Sequence, residues 1–440
     1  MKRTIAILGG GAAGMMAAVA AAEEGAKSRS AEEENGTDVL LFEKNTYLGA
    51  KVLISGGGRC NVTTGIFDVR KLLENYPRGA KFLMSAMFRF PPEKVKEWFE
   101  SHGVPLKIEE DLRIFPVSNN GKDVVGALEN ELRRLGVQIF TNANVIELVS
   151  MKGDSAGGEQ AASAQKFLLK LKDERTFETD AVIITTGGNA YRHTGSTGDG
   201  YAFAKYFGHT VTPLSPSLNS FVVSDQWIKS LAGVSFEKTE LRLKSFDGER
   251  EYKRTGPGVF THHGVSGPAV FAMSAAASFE TYDRNKPMEL SVNFFPDENA
   301  ETLKKRFMDM ADKNGKKFLV NFLDMFLPKS LCGVFVEILK ADSELSVGKM
   351  DREIREKILD LMQNFKLSVV GRGAGDEFVT AGGVLLDEVN TNTMESKICP
   401  GLYFAGEILD IDGFTGGFNL QASWATGRLA GENAAKQMNE

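Results

Sequence analysis

The chain opens on an unbroken apolar run at residues 4–8 that stops at three consecutive glycines. A short run with no polar alternation predicts a strand covered on both faces, as in a parallel sheet. Alanines and methionines from 12 to 24 predict a helix, and a second apolar run at 38–42 predicts the next strand, ending at Glu43. The polar, charged stretch between Lys27 and Thr37 reads as a solvated loop. Further on, 136–149 reads as two strands with a turn between them, and 167–171 as a strand after a small, polar hairpin loop at 153–165. The run at 180–188 predicts a buried strand ending in glycines, and 201–207 a helix capped by Asp199. A last buried strand is expected at 401–407, ahead of a helix at 420–438.

The period changes from about residue 210. Alternating runs at 220–223, 240–244 and 289–293 predict antiparallel strands of an inserted, barrel-like β domain. Amphipathic spacing at 301–312, 316–326, 330–339 and 351–365 predicts a small helical domain nested within it.

Composition narrows the class. At 440 residues and 42% hydrophobic, the chain can bury a large core. Its net charge of −6, with no basic stripe, argues against nucleic acid as a partner. No uncharged apolar run approaches the roughly 20 residues a bilayer span requires. Lys2 and Arg3 precede an apolar stretch, but it runs into Glu23 and Glu24 without the end of a secretion signal. Cys60, Cys332 and Cys399 are scattered, with neither disulfide nor metal-ligand spacing, as suits a reducing cytoplasm. The expected partner is a small molecule, with no metal site.

The first glycines carry chemistry. Gly9, Gly11 and Gly14 satisfy G-x-G-x-x-G between a strand and a helix. Gly9 makes the tight turn, Gly11 lets backbone approach a pyrophosphate, and Gly14 lets helix pack on strand. The pyrophosphate then lies at the helix N-terminus, over Ala12 and Ala13. Glu43, at the end of the second strand, is the acid that grips ribose hydroxyls, with Lys44 beside it. A second glycine cluster follows in Ala50-Lys51 and Ser55-Gly56-Gly57-Gly58-Arg59-Cys60-Asn61. Three glycines in a row let N–H groups converge on an anionic or planar group, as in a nest, while Lys51 and Arg59 add positive charge. At the other end of the chain, Gly406-Glu407 closes the last strand, and Gly417-Phe418-Asn419-Leu420 opens the last helix. Free N–H groups at such a helix start can hold negative charge.

These segments, with Thr186-Gly187-Gly188, the turn at 195–200 and the run at 260–268, resemble a family of bacterial NAD(P)/FAD-dependent oxidoreductases. That family includes aminoacetone oxidase and bile-acid 3-oxo-Δ-reductase flavoproteins. The resemblance covers nearly the whole chain, and the pairing of Thr-Gly-Gly with Thr-Gly-Asp-Gly is also similar to fumarate-reductase-type flavoproteins. It implies an α/β fold: a Rossmann-like FAD-binding domain over 1–192 and 374–440, an inserted antiparallel β domain over 193–296 and 365–373, and a helical subdomain over 297–364. It further implies that Val145 presents its backbone to the adenine, and that Glu407 contacts the ribityl or pyrophosphate part. Two features depart from the family: the loop before Glu43, and His263 where an aromatic residue is expected.

No second G-x-G-x-x-G follows a strand, since 371–375 has the wrong spacing. Any NAD(P)H is therefore expected to visit the flavin transiently. The leading expectation is NAD(P)H-dependent reduction of an activated C=C bond such as a ring enone, with His262, His263 or Tyr191 supplying the proton. The alternatives are an oxygen-using oxidase of amines or amino ketones, and a flavin-binding protein without turnover.

Overall fold

A computed structural model describes residues 3–27, 37–151, 166–342, 344–373 and 378–437. The loop expected between Lys27 and Thr37, the hairpin loop at 153–165, the boundary at 374 and the helix end at 438 lie outside the described residues. The chain divides into two compact units, Met1–Pro216 with Phe378–Glu440, and Ser217–Glu377.

The first unit is built on a five-stranded parallel sheet. Its order is Leu402–Phe404, Ala181–Ile184, Arg3–Leu8, Thr37–Phe42 and Gln138–Phe140. Ile5 pairs with Ala181 on one side and Val39 on the other, so the first strand is central and its apolar run is buried. The expected strand pair at 136–149 divides between sheets. Gln138–Phe140 joins the parallel sheet, whereas Val145–Met151 pairs antiparallel with Lys166–Leu171, which pairs in turn with Thr176–Thr179. The helix Phe418–Gln437 lies across the helix Ala12–Lys27 at backbone distance. A Cβ at Gly427 would stand 2.3 Å from Ala13 O, and one at Gly431 2.1 Å from Ala17 O. Small residues one turn apart thus bring the end of the chain onto its beginning.

The second unit holds the inserted domain. Six strands close a barrel: Phe221–Val223, Gly264–Ser266, Glu251–Phe260, Ser235–Lys244, Met288–Asn293 and Phe365–Arg372. Alternating residues such as Leu241, Leu243, Leu290, Val292, Leu367 and Val369 fill its interior. Helices Ala300–Lys313, Leu319–Leu323, Lys329–Leu339 and Arg352–Gln363 intervene between the last two barrel strands. Phe335 stacks on Phe365 with centroids 5.7 Å apart, joining the helical core to the barrel core.

Candidate functional site

The dinucleotide motif is shaped by two close approaches. Gly9 has φ +107°, a backbone region closed to other residues, and its N–H donates to Phe42 O at 2.8 Å. A Cβ at Gly14 would stand 1.8 Å from Gly9 O, so only glycine lets the helix start this near the strand. In front of Gly11 nothing lies within 4 Å of where a Cβ would be, and the helix carries no acidic side chain in its first turn. Its N-terminus can therefore receive an anion.

Glu43 is buried at 8% exposure, and both oxygens are engaged by backbone. Oε2 accepts from Gly10 N–H and Oε1 from Asn45 N–H, each at 2.8 Å. Each oxygen keeps a further lone pair for a hydroxyl. Beside it, a cavity of about 470 Å³ is lined by Lys44, Asn45, Asn142, Asn144, Lys172 and Asp173. Val145 begins its strand one residue beyond Asn144. Lys44 bonds to Thr197 and pairs with Asp199 at 2.6 Å. Asp199 is not the expected cap. Gly198, in the left-handed region, is the N-cap residue, and Asp199 stands one position inside the helix Asp199–Tyr206, where the dipole still favours its charge.

The second glycine cluster departs from an alternating nest. Gly56, Gly57 and Gly58 are all left-handed, with φ of 57°, 71° and 87°, in a single tight turn. Arg59 is directed to its own partners. Its guanidinium lies 3.7 Å from the Phe115 ring centroid and donates to Glu109 at 2.8 Å, which holds the Glu109 carboxyl below the usual carboxylate range. Cys60 is fully buried, and burial pushes its thiol up to about 12, so it is no nucleophile. Asn61 joins this cluster to the C-terminal one: its amide donates to Thr63 O and accepts from Gly417 N–H, both at 2.9 Å.

Lys51 and Glu407, 356 residues apart, meet in an ion pair of 2.6 Å. The other Glu407 oxygen accepts from Thr380 N–H at 2.9 Å, and the Thr380 hydroxyl accepts from Asn189 N–H at 2.7 Å. Lys51 Nζ also stands 5.9 Å from the ring centroid of Tyr191, a residue held in the left-handed region at φ 53°. Lys51, Tyr191, Gly188 and Glu407 thereby stand close together, a Cβ at Gly188 lying only 2.9 Å from Glu407 Oε1. On the last helix, the Asn419 side chain closes the preceding loop through two 2.8 Å bonds to the Gly413 backbone. What Asn419 offers outward is therefore its backbone N–H in the first helical turn.

Residues 3–433 match the family described as HI0933-like protein Rossmann domain. The chain belongs to that family. It is an FAD-dependent oxidoreductase. It is 32% identical over 93% of its length to a 3-dehydro-bile acid delta(4,6)-reductase of Clostridium scindens, of which 95% is covered. It is 26% identical over 91% of its length to a ribosomal RNA dihydrouridine synthase of Haemophilus influenzae, 94% covered. The Escherichia coli protein of the same name is 27% identical over 89% of this chain, 90% covered.

The HI0933-like site fits an FAD on its own geometry. The open cradle at Gly11, the doubly anchored carboxylate of Glu43 and the glycine-rich start of the last helix supply an anion seat, hydroxyl acceptors and free N–H groups. The buried Thr186 hydroxyl, with no partner among the described residues, lies along the same strand end. His262 and His263 sit in the second unit, exposed on the turn between Glu251–Phe260 and Gly264–Ser266. Sequence reasoning passed over Thr380, whose signal was the glycine pair after a very short apolar run.

Proposed function

We propose that the protein reduces a ring carbon–carbon double bond conjugated to a carbonyl, with NAD(P)H as the source of electrons. The observation that carries this reading is the full-length, 32% identical relative named for reduction of a 3-dehydro-bile acid. The dihydrouridine synthases also add hydrogen across a double bond conjugated to a carbonyl, in uracil. The acidic balance of this chain, net −6, disfavours a polyanionic RNA.

When bound, FAD supplies two-electron transfer between donor and acceptor. The chain's own residues hold and orient it. Gly9, Gly11, Ala12, Ala13 and Gly14 would seat the pyrophosphate, and Glu43 the adenosine ribose, with Lys44 and Val145 toward the adenine. Ala50, Lys51, Ser55, Gly56, Gly57, Cys60 and Asn61 would form one wall of the flavin site, with Arg59 stiffening it through Glu109. Thr186, Gly187, Gly188, Gly406 and Glu407 would form another. N–H groups at Phe418, Asn419 and Leu420 would stabilise negative charge at the flavin carbonyl edge, while Gly417, whose N–H is held by Asn61, sets the start of the helix. Tyr191, with the Lys51 ammonium near its ring, is the proton-donor candidate of this unit. His262 and His263 are the candidates of the barrel unit.

Anaerobic half-reactions test this. NADH or NADPH should bleach the flavin spectrum, and a cyclic enone should restore it faster than air does. Failure of both nicotinamides to reduce the flavin would overturn the reading. Peroxide formed with an amine would mark an oxidase instead, and reoxidation by uridine-containing RNA alone would mark a nucleic-acid substrate.

A further inference from the structure

The start of the last helix, Phe418–Gln437, is gripped by a segment from the first quarter of the chain. Arg78 binds the fully buried carboxylate of Asp412 through two nitrogens. Asn75 O accepts from the Phe414 N–H at 2.9 Å. The Tyr76 hydroxyl donates to Phe418 O at 2.7 Å, and the two rings meet edge to face with centroids 6.1 Å apart. A Cβ at Gly413 would stand 3.0 Å from the Tyr76 ring, so the loop before the helix closes directly on that ring. Residues 75–78 and 412–418 are thus joined along their whole length, with Tyr76 buried between them.

The Tyr76 bond falls on a particular peptide unit. Phe418 O and the Asn419 N–H belong to the same planar amide and point in opposite directions. The carbonyl has two lone pairs, and a helix uses one of them for the N–H four residues on. Tyr76 takes the other. A hydrogen bond to an amide oxygen draws electrons toward it and makes the N–H of that amide a stronger donor. Burial raises the Tyr76 phenol well above its ordinary value, so the hydroxyl keeps its proton and donates across the neutral range. The Asn419 N–H lies in the first helical turn, where no acceptor exists within the helix.

We propose that Tyr76 is a positioning residue that raises the flavin potential: through the Phe418–Asn419 peptide it strengthens the N–H that holds negative charge at the flavin carbonyl edge. This rests on the reading that seats that edge at the start of the last helix. Two-electron reduction leaves negative charge on the edge, so a stronger donor there favours reduced over oxidised FAD. Tyr76 acts from the opposite side of the peptide, and the Arg78–Asp412 pair beside it holds the loop against its ring.

The test is the midpoint potential of the FAD-loaded protein, read by equilibration with a reference dye. It needs neither nicotinamide nor enone, so it does not depend on which substrate is reduced. Tyr76→Phe should bind oxidised FAD as tightly as wild type and reduced FAD about threefold more weakly, a potential lower by about 14 mV for two electrons. Sulfite, whose binding leaves the same negative charge on the ring, should also bind about threefold more weakly. Placing 3-fluorotyrosine, a stronger donor, at the Tyr76 position should shift both quantities the other way, and this arm stands alone should Tyr76→Phe not fold. A potential equal to wild type in both variants would overturn the proposal. So would weaker binding of oxidised and reduced FAD alike, which marks a structural brace. A wild-type potential at or below that of FAD in solution would show instead that the carbonyl edge does not meet the helix start, and would overturn the seat and the tuning together.

Discussion

Glu43 does two jobs with one carboxylate. It accepts backbone N–H groups from Gly10 and Asn45, which shapes the glycine turn, and it keeps lone pairs for ribose hydroxyls. Glu43→Gln keeps the side-chain size but removes the charge and turns one of the two acceptor oxygens into a donor, so one backbone N–H also loses its partner. It should weaken FAD by about 10- to 100-fold, since a hydrogen bond to a charged group is worth ~1.5–3 kcal/mol. Fluorescence titration of the apoprotein reads this, and wild-type affinity would rule out the ribose role. Glu43 and the glycines were legible because their chemistry lies in one contiguous stretch. Arg59 was not, because its partner Glu109 arrives 50 residues later on a separate hairpin, and chain spacing alone cannot reveal that pairing. Asp199 was misread as a cap for a related reason: the glycine before it takes the cap position, and the ion pair to Lys44 comes from across the chain.

Among elements, the edge of the parallel sheet is secured by a buried histidine. His209 links three segments: Nε2 bonds Ser396 Oγ at 2.7 Å, Nδ1 faces Glu388 at 3.2 Å, and the ring meets Phe404 of the edge strand at 4.7 Å. Burial lowers its basicity, and Glu388 opposes that only in part. A histidine whose folded value is depressed stabilises the fold above its unfolded value, about 6.5, and loses that stability as pH falls through the lower folded value. Acid unfolding followed by circular dichroism should therefore steepen between about 6.5 and the lower folded value, and His209→Gln should flatten this limb. An unaltered acid limb in the variant would contradict the lock. The parallel strands and the helices of the nested domain were legible from their periods. The helix Ala80–Arg89 was not, because Met84 and Phe88 are exposed opposite buried Phe82, Leu83 and Met87, which blurs the apolar stripe. Nor was the strand Glu251–Phe260, whose covered positions include Arg254, Gly256 and Gly258 rather than apolar residues.

At the scale of the molecule, the FAD unit is assembled from both ends of the chain, with the barrel and its nested helices inserted between. The kinds of element, a parallel sheet, a barrel-like antiparallel sheet and helices, were legible because the hydrophobic period changes from parallel-strand runs to alternation and then to helical spacing. The contacts that join the cofactor segments were not, since Lys51–Glu407 and Asn61–Gly417 each bridge more than three hundred residues. No described helix is long and apolar enough to cross a membrane. Family membership makes the protein an FAD-dependent oxidoreductase, and the proposed reduction of a ring enone is the claim to be tested. The most direct test is product analysis under anaerobic conditions. FAD-loaded protein is given NAD(P)H and a 3-oxo steroid or bile acid bearing a ring double bond, and the products are weighed by mass spectrometry. The account predicts a product heavier by two hydrogens, formed in equal amount to the nicotinamide oxidised. Enones recovered unaltered while the reduced flavin yields hydrogen peroxide on admission of air would contradict it.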